Sequence, residues 1–387
     1  MSKCTNKDNC PPSLRKSKIG GQALIEGIMM KGVYKSAMAC RLPDGTIDVE
    51  VWENKHGKNL PWYKKTPFVR GAVNMVTQLI EGYKCLMKSA DKQFNEDLEF
   101  FIEWYKKNKI EKKSREDAIS AFSDYLVSKK RDVSELDLEE LYDKYLEDMA
   151  NYQYEEPTKF EQWLTEKLGD KIMPIISVIS IALSLVICVL LFKFLPSTIG
   201  GLARKIYDNE ILVSIVEGVS KIAIFIAYLA LTALMKDIRI TYQYHGAEHK
   251  TIACLEAGEE LTVENIKKHS RFHPRCGTSF IFIALITSII VFIILFSVLP
   301  EISLGSNILN TLARVGIQLV FLPFIVGISY ELIRLAGTHT NTFTKILSAP
   351  GLAIQRITTR EPNDKQIEVA IAAIKPCVPE NLEDDQW

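Results

Sequence analysis

The chain has 387 residues, with 47 lysines and arginines balancing 47 aspartates and glutamates, and 47% of its residues are hydrophobic. This balance excludes the concentrated basic surface that phosphate backbones require, so no nucleic-acid partner is expected. The eight cysteines form no C-x-x-C pair, and the chain is far longer than the secreted domains that depend on disulfides. Free thiols in a reducing compartment are therefore expected.

The N-terminal part is predicted to be a polar tail followed by a small α/β element. Residues 1–17 contain basic residues but no apolar stretch behind them, so no cleavable signal peptide is expected. Residues 18–90 would form the α/β element on the cytoplasmic side. Two of its segments, residues 38–42 and 46–52, are predicted as strands because a strong hairpin turn, Pro43-Asp44-Gly45, separates them.

Two helical regions follow. Helical periodicity over residues 69–86 predicts an amphipathic helix that would lie against the membrane surface or another helix. Residues 91–171 are rich in charge and are predicted to be a helical insertion, with aromatic residues that favour a folded subdomain. Its helices would pack on themselves or dock a protein partner. One apolar stripe of this insertion consists of Phe94, Leu98, Phe101 and Tyr105.

Four long apolar segments dominate the second half of the chain. Each exceeds the roughly 20 residues that cross a hydrocarbon layer about 30 Å thick. The sequence therefore predicts a mainly α fold, a four-span transmembrane helical bundle embedded in a lipid bilayer. The first two spans fall within residues 172–235 and the last two within 278–335, and the four segments are residues 172–195, 211–235, 278–299 and 307–335.

The basic residues of the short loops predict the orientation of these spans. The segment of residues 236–277 contains seven lysines and arginines, whereas residues 300–310 contain none. Because basic loops remain on the cytoplasmic side, the first segment is predicted to lie inside and the second outside. Both termini, including the C-terminal segment of residues 336–387, would then be cytoplasmic.

Charged residues inside the spans allow two interpretations. Glu217 and Lys221 are four residues apart, and Glu331 and Arg334 are three apart. Each pair would share a helix face and neutralise itself, with the basic side chains extended towards the interface. Alternatively the four residues would line the polar path of a carrier, although no inverted halves or paired broken helices are evident.

The residues best suited to chemistry lie between the second and third spans. Residues 245–249 contain the pattern H-x-x-E-H, which on a helix places His245 and His249 one turn apart with Glu248 beside them. Two imidazoles at that spacing can bind zinc together, and a nearby carboxylate can act as general base. His273 and Cys276 immediately precede the third span. They would complete a site for a divalent metal, most simply zinc.

Two arrangements of this predicted site remain open. All four of His245, His249, His273 and Cys276 would bind the metal, or three of them would bind while water takes the fourth position, as catalysis requires. A plainer interpretation has the histidines bridging backbone or lipid headgroups and Cys276 as a small buried residue.

The boxes Gly20 to Met30, Tyr244 to Lys250 and His273 to Phe280 are distinctive. They resemble those of the YqhQ-like family of bacterial membrane proteins, which is defined by a domain of unknown function and described as predicted metal-dependent enzymes. The resemblance implies a multi-pass protein of the bacterial plasma membrane. Residues 91–165 look like an insertion relative to the family, and His269 lies outside its boxes. The matching boxes are Gly20 to Ala23, Glu26 to Met30, Arg70-Gly71, Tyr244 to Lys250, His273 to Phe280, Tyr330-Glu331, Ala349 to Leu352 and Thr358 to Pro362.

Two functions follow from these observations. In the first, the protein is a metal-dependent membrane hydrolase in which Glu248 is the catalytic base. In the second, it is a non-enzymatic scaffold or assembly factor in which the N-terminal glycine-rich box and residues 358–362 pack over the loop. Convergence of one ring nitrogen from each of His245, His249 and His273 within about 4 Å of one point would favour the first function. Side chains of His245 and His273 that point apart would favour the second.

Overall fold

The computed structural model describes residues 16–57, 59–93, 96–128, 137–151, 167, 172–206, 209–299, 307–338 and 341–386. Most of the predicted N-terminal tail, Phe94, and residues 300–306 of the predicted outer loop therefore lie outside the described residues. The chain divides into two compact units. The described residues of the first belong to Met1–Arg41, Ile47–Ala90 and Ser184–Trp387, and those of the second to Leu42–Thr46 and Asp91–Leu183.

Helices make up most of the described residues. Three short 3₁₀ helices accompany them, at Ile110–Lys112, Lys375–Cys377 and Leu382–Asp385. The α-helices in chain order are α1 (Trp62–Lys65), α2 (Val69–Gln93), α3 (Glu96–Lys107), α4 (Arg115–Ser128), α5 (Leu138–Asn151), α6 (Ile172–Val189), α7 (Leu195–Arg204), α8 (Glu210–Thr232), α9 (Lys236–Glu256), α10 (Val263–Lys268), α11 (Gly277–Val298), α12 (Asn307–Thr338), α13 (Thr342–Thr358) and α14 (Asp364–Ile374).

One antiparallel sheet of four strands opens the first unit. Its strands follow the chain order β1 (Gly20–Leu24), β2 (Gly27–Lys31), β3 (Lys35–Arg41) and β4 (Ile47–Glu53). The two predicted strands correspond to β3 and β4. The structure adds β1 and β2, which the sequence analysis missed because Gly20-Gly21 has low strand propensity and the turn places Glu26 at positive φ.

The sheet is the middle layer of three, and its side chains alternate between two faces. On one face, Met29, Met38 and Cys40 pack against Cys85 of α2. On the other face, Ile28, Met30, Ala37 and Ala39 join the core formed with α9 and α14. Because successive side chains of a strand point to opposite sides, both faces of β2 and β3 are buried.

Four helical segments are long and apolar enough to cross a membrane, as predicted: Val178–Ala203, Ile211–Thr232, Gly277–Val298 and Ala313–Gly337. The first continues beyond the predicted end at residue 195. A π-helical turn, Leu190–Phe194, joins α6 to α7, and Pro196 then occupies the first turn of α7. Proline is tolerated there because a helix's first turn needs no backbone donor, and the π turn adjusts the register before it.

The charged residues of the spans find partners on other elements. Lys193 lies 3.7 Å from Glu217, which joins the first two spans. Glu331 accepts a hydrogen bond from Nε of Arg70 at 2.7 Å, a second one from the Arg70 guanidinium, and one from the backbone N–H of Phe68 at 3.2 Å. The paired carboxylate and guanidinium thus attach the start of α2 to α12, and the charge of Arg334, the predicted partner on the same helix, also acts on Glu331.

Close backbone approach holds the C-terminal segment against α9. The N–H of Arg360 donates to the carbonyl of Tyr242 at 2.8 Å. Gly246 lies under the carbonyl oxygen of Arg360, where an added Cβ would fall far inside van der Waals contact. Since that obstacle is backbone, it cannot move aside as a flexible side chain would.

The second unit has an aromatic core of its own. Helices α3, α4 and α5 bury Phe101, Phe122 and Tyr142. The rings of Phe101 and Phe122 meet edge to face, with centroids 5.5 Å apart. Leu98 and Phe101 of the predicted stripe are buried, and Tyr105 packs beside them.

Replacing Gly246 with alanine is expected to lower the free energy of unfolding by about 1–3 kcal/mol, because α9 and the Arg360 backbone must separate. The measurement is the thermal unfolding midpoint of the detergent-solubilised full chain. Gly316→Ala is the matched control, because a Cβ at that helical position meets nothing within 4 Å. Equal midpoints for both variants would contradict the close approach.

Candidate metal centre

Three of the predicted ligands converge where α9 meets the start of α11. His245 and His249 lie one turn apart on α9, and their ring centroids are 4.4 Å apart. Cys276 is the N-cap of α11, and its Sγ lies 3.1 Å from Nε2 of His245. One ligand atom from each of the three residues lies within 4.8 Å of the others. Two imidazoles and one thiolate form a donor set that suits zinc.

Backbone carbonyls orient both imidazoles. Nδ1 of His245 is 2.9 Å from the carbonyl oxygen of Thr358, and Nδ1 of His249 is 2.6 Å from that of Arg271. A carbonyl only accepts hydrogen bonds, so each Nδ1 carries a proton and donates. Metal-binding histidines are typically held in this way, since the bond fixes the ring and leaves Nε2 to face the ion.

The buried thiol and imidazole change each other's ionisation. Burial alone would raise the pKa of Cys276, but the charges of His245 and His249 outweigh it and hold that pKa well below its usual value. Burial alone would lower the pKa of His245, yet the Cys276 sulfur raises it to about 9. The pair is therefore a thiolate beside an imidazolium. A divalent ion can replace the shared proton, because metal binding requires the thiolate and a neutral imidazole.

Glu248 occupies a buried position in the same motif. Burial raises the pKa of its carboxyl, an effect that the charges of His245 and His249 partly offset, and the carboxylate accepts a hydrogen bond from the backbone of Gly21. An added Cβ at Gly21 would lie 2.9 Å from Cδ of Glu248 and 2.7 Å from the carbonyl oxygen of Met29. Only glycine fits there, which explains why the N-terminal glycine box belongs to this site.

His273, the fourth predicted ligand, lies beside the converging group. Its ring centroid is 5.5 Å from that of His249, but its Nε2 is 3.3 Å from the Arg275 guanidinium and 3.9 Å from a carboxylate oxygen of Glu256. Burial lowers the pKa of His273, and Nε2 of the neutral ring accepts a hydrogen bond from Arg275. This geometry directs Nε2 of His273 towards Glu256 and Arg275.

Several residues that shape the site were not predicted. Gln355 fixes the loop before Cys276, since its Oε1 accepts from the backbone N–H of His273 at 2.8 Å and its Nε2 donates to the His273 carbonyl at 2.7 Å. Arg271 donates to the carbonyl and hydroxyl of Thr359. The one sequence signal for these contacts was the box at residues 358–362.

A second group of ligand-type side chains, Cys254, Glu259 and His269, gathers at the end of α9. Here Nε2 of His269 lies 3.2 Å from Glu259. The Cys254 thiol donates to the carbonyl of Glu260 at 3.6 Å, and burial raises its pKa to about 11. A sulfur held as a protonated thiol is a poor metal ligand, so this group suits a metal less well than the first.

The acid stability of the metal-free protein tests the pair of His245 and Cys276. Because the pKa of His245 is raised in the folded protein, its protonation stabilises the fold at pH values below the ordinary pKa of 6.5. This stabilisation is lost as the pH rises towards about 9. The lowered pKa of Cys276 contributes stability above the ordinary value of 9.0, and this contribution declines as the pH falls. Between pH 6.5 and 9 the two contributions to folding stability change in opposite directions with pH. Below pH 6.5 only the thiolate contribution still changes.

We therefore expect the pair's contribution to be nearly constant from about pH 6.5 to 9 and to fall in more acidic solution. The measurement is the unfolding midpoint of the chelator-treated full chain across this range and in more acidic solution. Cys276→Ser should have a shallower acid slope, while Cys254→Ser, the matched control, keeps that of the wild type. An unchanged slope in Cys276→Ser would refute the thiolate assignment.

Comparison with known proteins places the chain in a family. The family described as "Protein of unknown function (DUF1385)" matches residues 66–380. The chain is 28% identical over 372 residues, 95% of its length and 92% of the relative's, to the "Uncharacterized protein YqhQ" of Bacillus subtilis (strain 168). No solved structure matches the chain. The predicted resemblance is confirmed, and the chain belongs to the DUF1385 family, whose function is unknown.

Proposed function

We propose that this protein is a metal-dependent hydrolase of the bacterial plasma membrane, with a zinc-like ion held by His245, His249 and Cys276. The observation that carries the proposal is the convergence of the three ligand atoms, together with the two backbone carbonyls that hold both Nδ1 atoms as donors. Such outer hydrogen bonds are typical of sites built for a metal. They turn the imidazoles of α9 towards the sulfur of Cys276.

The residues of the chain then have distinct roles. When bound, a divalent ion supplies Lewis acidity towards a substrate oxygen. Glu248 would accept the proton of an attacking water, since its raised pKa brings a carboxylate closer to the range useful for proton transfer. His273 would act as a positioning residue, because its Nε2 faces Arg275 and Glu256. Three ligands leave the fourth coordination position to water or substrate, as catalytic zinc sites do.

The metal content of the purified full chain tests this proposal. We expect about one equivalent of a divalent transition metal in the wild type. His249→Ala should lose it because a ligand is removed, and His56→Ala should keep it because His56 is an exposed turn residue. Elemental analysis of the detergent-solubilised proteins gives the measurement. Wild type without a stoichiometric metal would end the proposal.

Two further variants divide the roles within the site. Glu248→Gln should keep the metal, since this side chain is a base and not a ligand in the proposed arrangement. His273→Ala should also keep most of it, whereas loss comparable to that of His249→Ala would restore the predicted four-ligand set.

A non-enzymatic function has one observation in its favour. Glu248 and His249 are buried, and a metal held by His245, His249 and Cys276 would fasten α9 to the start of α11, where β1 and the end of α13 also make contact. Structural zinc sites contribute directly to folding stability. If removal of the metal abolishes folding and Glu248→Gln has no other effect, the scaffold function is favoured.

We propose that the site faces the cytoplasm. The segment that carries it, residues 236–277, connects the second and third spans and holds seven basic residues. Contacts of α9 and α14 with the sheet keep the described N-terminal and C-terminal residues of the first unit on that same side. Basic segments of this kind remain inside during insertion.

Reporter fusions test this orientation. A fluorescent protein fused after residue 387 should fluoresce, and a phosphatase that is active only outside the cytoplasm should stay inactive when fused there or within residues 257–262. The opposite pattern, with an active phosphatase at either position, would place the site outside the cytoplasm.

A further inference from the structure

Helix α2 has two apolar faces, of which one is covered. Its covered face carries small residues, including Gly82 and Cys85, that lie against the sheet. Gly82 contacts the side chain of Gln22 in β1. The opposite face carries large apolar side chains that remain exposed: Val76 (51%), Leu79 (62%), Ile80 (53%), Tyr83 (57%) and Met87 (44%).

These exposed side chains form one continuous stripe. Steps of three or four residues return to the same side of a helix, so the five positions share a face. With Val69, which is also exposed, the stripe is about 27 Å long at about 1.5 Å per residue. Soluble monomers rarely expose an apolar surface of this extent. Ile290 and Ile294 in the third span have similar exposed fractions, 53% and 60%.

The start of α2 is attached to the fourth span. Arg70 forms its paired hydrogen bonds with Glu331, which lies six residues before the end of the span at Gly337. An added Cβ at Gly71 would lie 2.6 Å from Cβ of Tyr330, so the two helices touch there. The stripe therefore begins beside the last two turns of the fourth span.

The residues before α2 have the composition of a membrane interface. Trp62 is 73% exposed and Phe68 53%, and Lys64 and Lys65 lie between them. Aromatic side chains are enriched at headgroup level, and lysines near the cytoplasmic surface attract anionic lipids.

We propose that residues 62–87 lie in the plane of the membrane surface, with the stripe of α2 in contact with phospholipid acyl chains. This inference rests on the proposed insertion of the four spans. The helix does not cross the bilayer, because the sheet covers its other face. Its flanks also carry ion pairs, between Lys88 and Glu50 at 2.7 Å and between Glu81 and Lys31. An interfacial anchor presents one apolar face to the lipids, and the stripe is the apolar face of α2 that the sheet leaves exposed.

Photo-crosslinking in the full chain tests the occupant of the stripe. A benzophenone amino acid is placed at Leu79 or Tyr83, and the protein is reconstituted in vesicles of phosphatidylethanolamine and phosphatidylglycerol. The crosslinked products are identified by their mass in mass spectrometry. We expect phospholipid adducts at both positions, several-fold above those at Lys88, the matched control next to the stripe. Ile290, an exposed position of the third span, is the positive control.

Each other outcome overturns the proposal in a recognisable way. Lipid adducts at Ile290 but not at Leu79 or Tyr83 would refute the interfacial helix and leave the spans intact. A crosslinked dimer at Leu79 would assign the stripe to a second copy of the chain. Absence of adducts at Ile290 as well would refute membrane insertion itself.

Discussion

Two hydrogen bonds from imidazole to backbone determine what the site can do. The carbonyls of Thr358 and Arg271 accept hydrogen bonds from Nδ1 of His245 and His249. These bonds fix the orientation of both rings and direct each Nε2 towards Cys276. These carbonyls come from segments remote in sequence from α9, so the site exists only when those segments are folded against it. Gly246 makes this possible for the C-terminal one, because any side chain there would hold the Arg360 backbone away.

Burial of charge explains why the family's sequence boxes near the N-terminus, in α9 and near the C-terminus meet at one place. A buried carboxylate, thiolate and imidazolium are costly unless each has partners. Glu248 obtains its partner from the backbone of Gly21, Cys276 from His245 and from the N–H of Thr278 at 3.4 Å, and His245 from Thr358. The N-terminal strand, the central helix and the C-terminal segment thus each supply a group that the others need.

The sequence was sufficient for features that depend on local periodicity, and insufficient for those that depend on distant contacts. Apolar length predicted the four candidate spans, and helical spacing placed His245 and His249 on one face. The partners of Glu217 and Glu331 were not predictable from spacing, since Lys193 and Arg70 reach them from other elements. The direction of Nε2 in His273 depends in the same way on Arg275 and Glu256. The carbonyls of Thr358 and Arg271 leave no mark in the sequence, because any residue type can supply a carbonyl.

The position of Cys276 fixes the depth of the proposed site. Cys276 directly precedes the third span, whereas His245 follows the start of α9 by nine residues, a distance of about 14 Å along the helix. Because their side chains touch, α9 holds His245 against the start of α11 instead of carrying it away from the third candidate span. In the proposed topology the metal ligands then lie at the depth of the lipid headgroups. In that proposed topology, the lower polarity of the interface compared with bulk water strengthens the interactions among Glu248, His245 and Cys276.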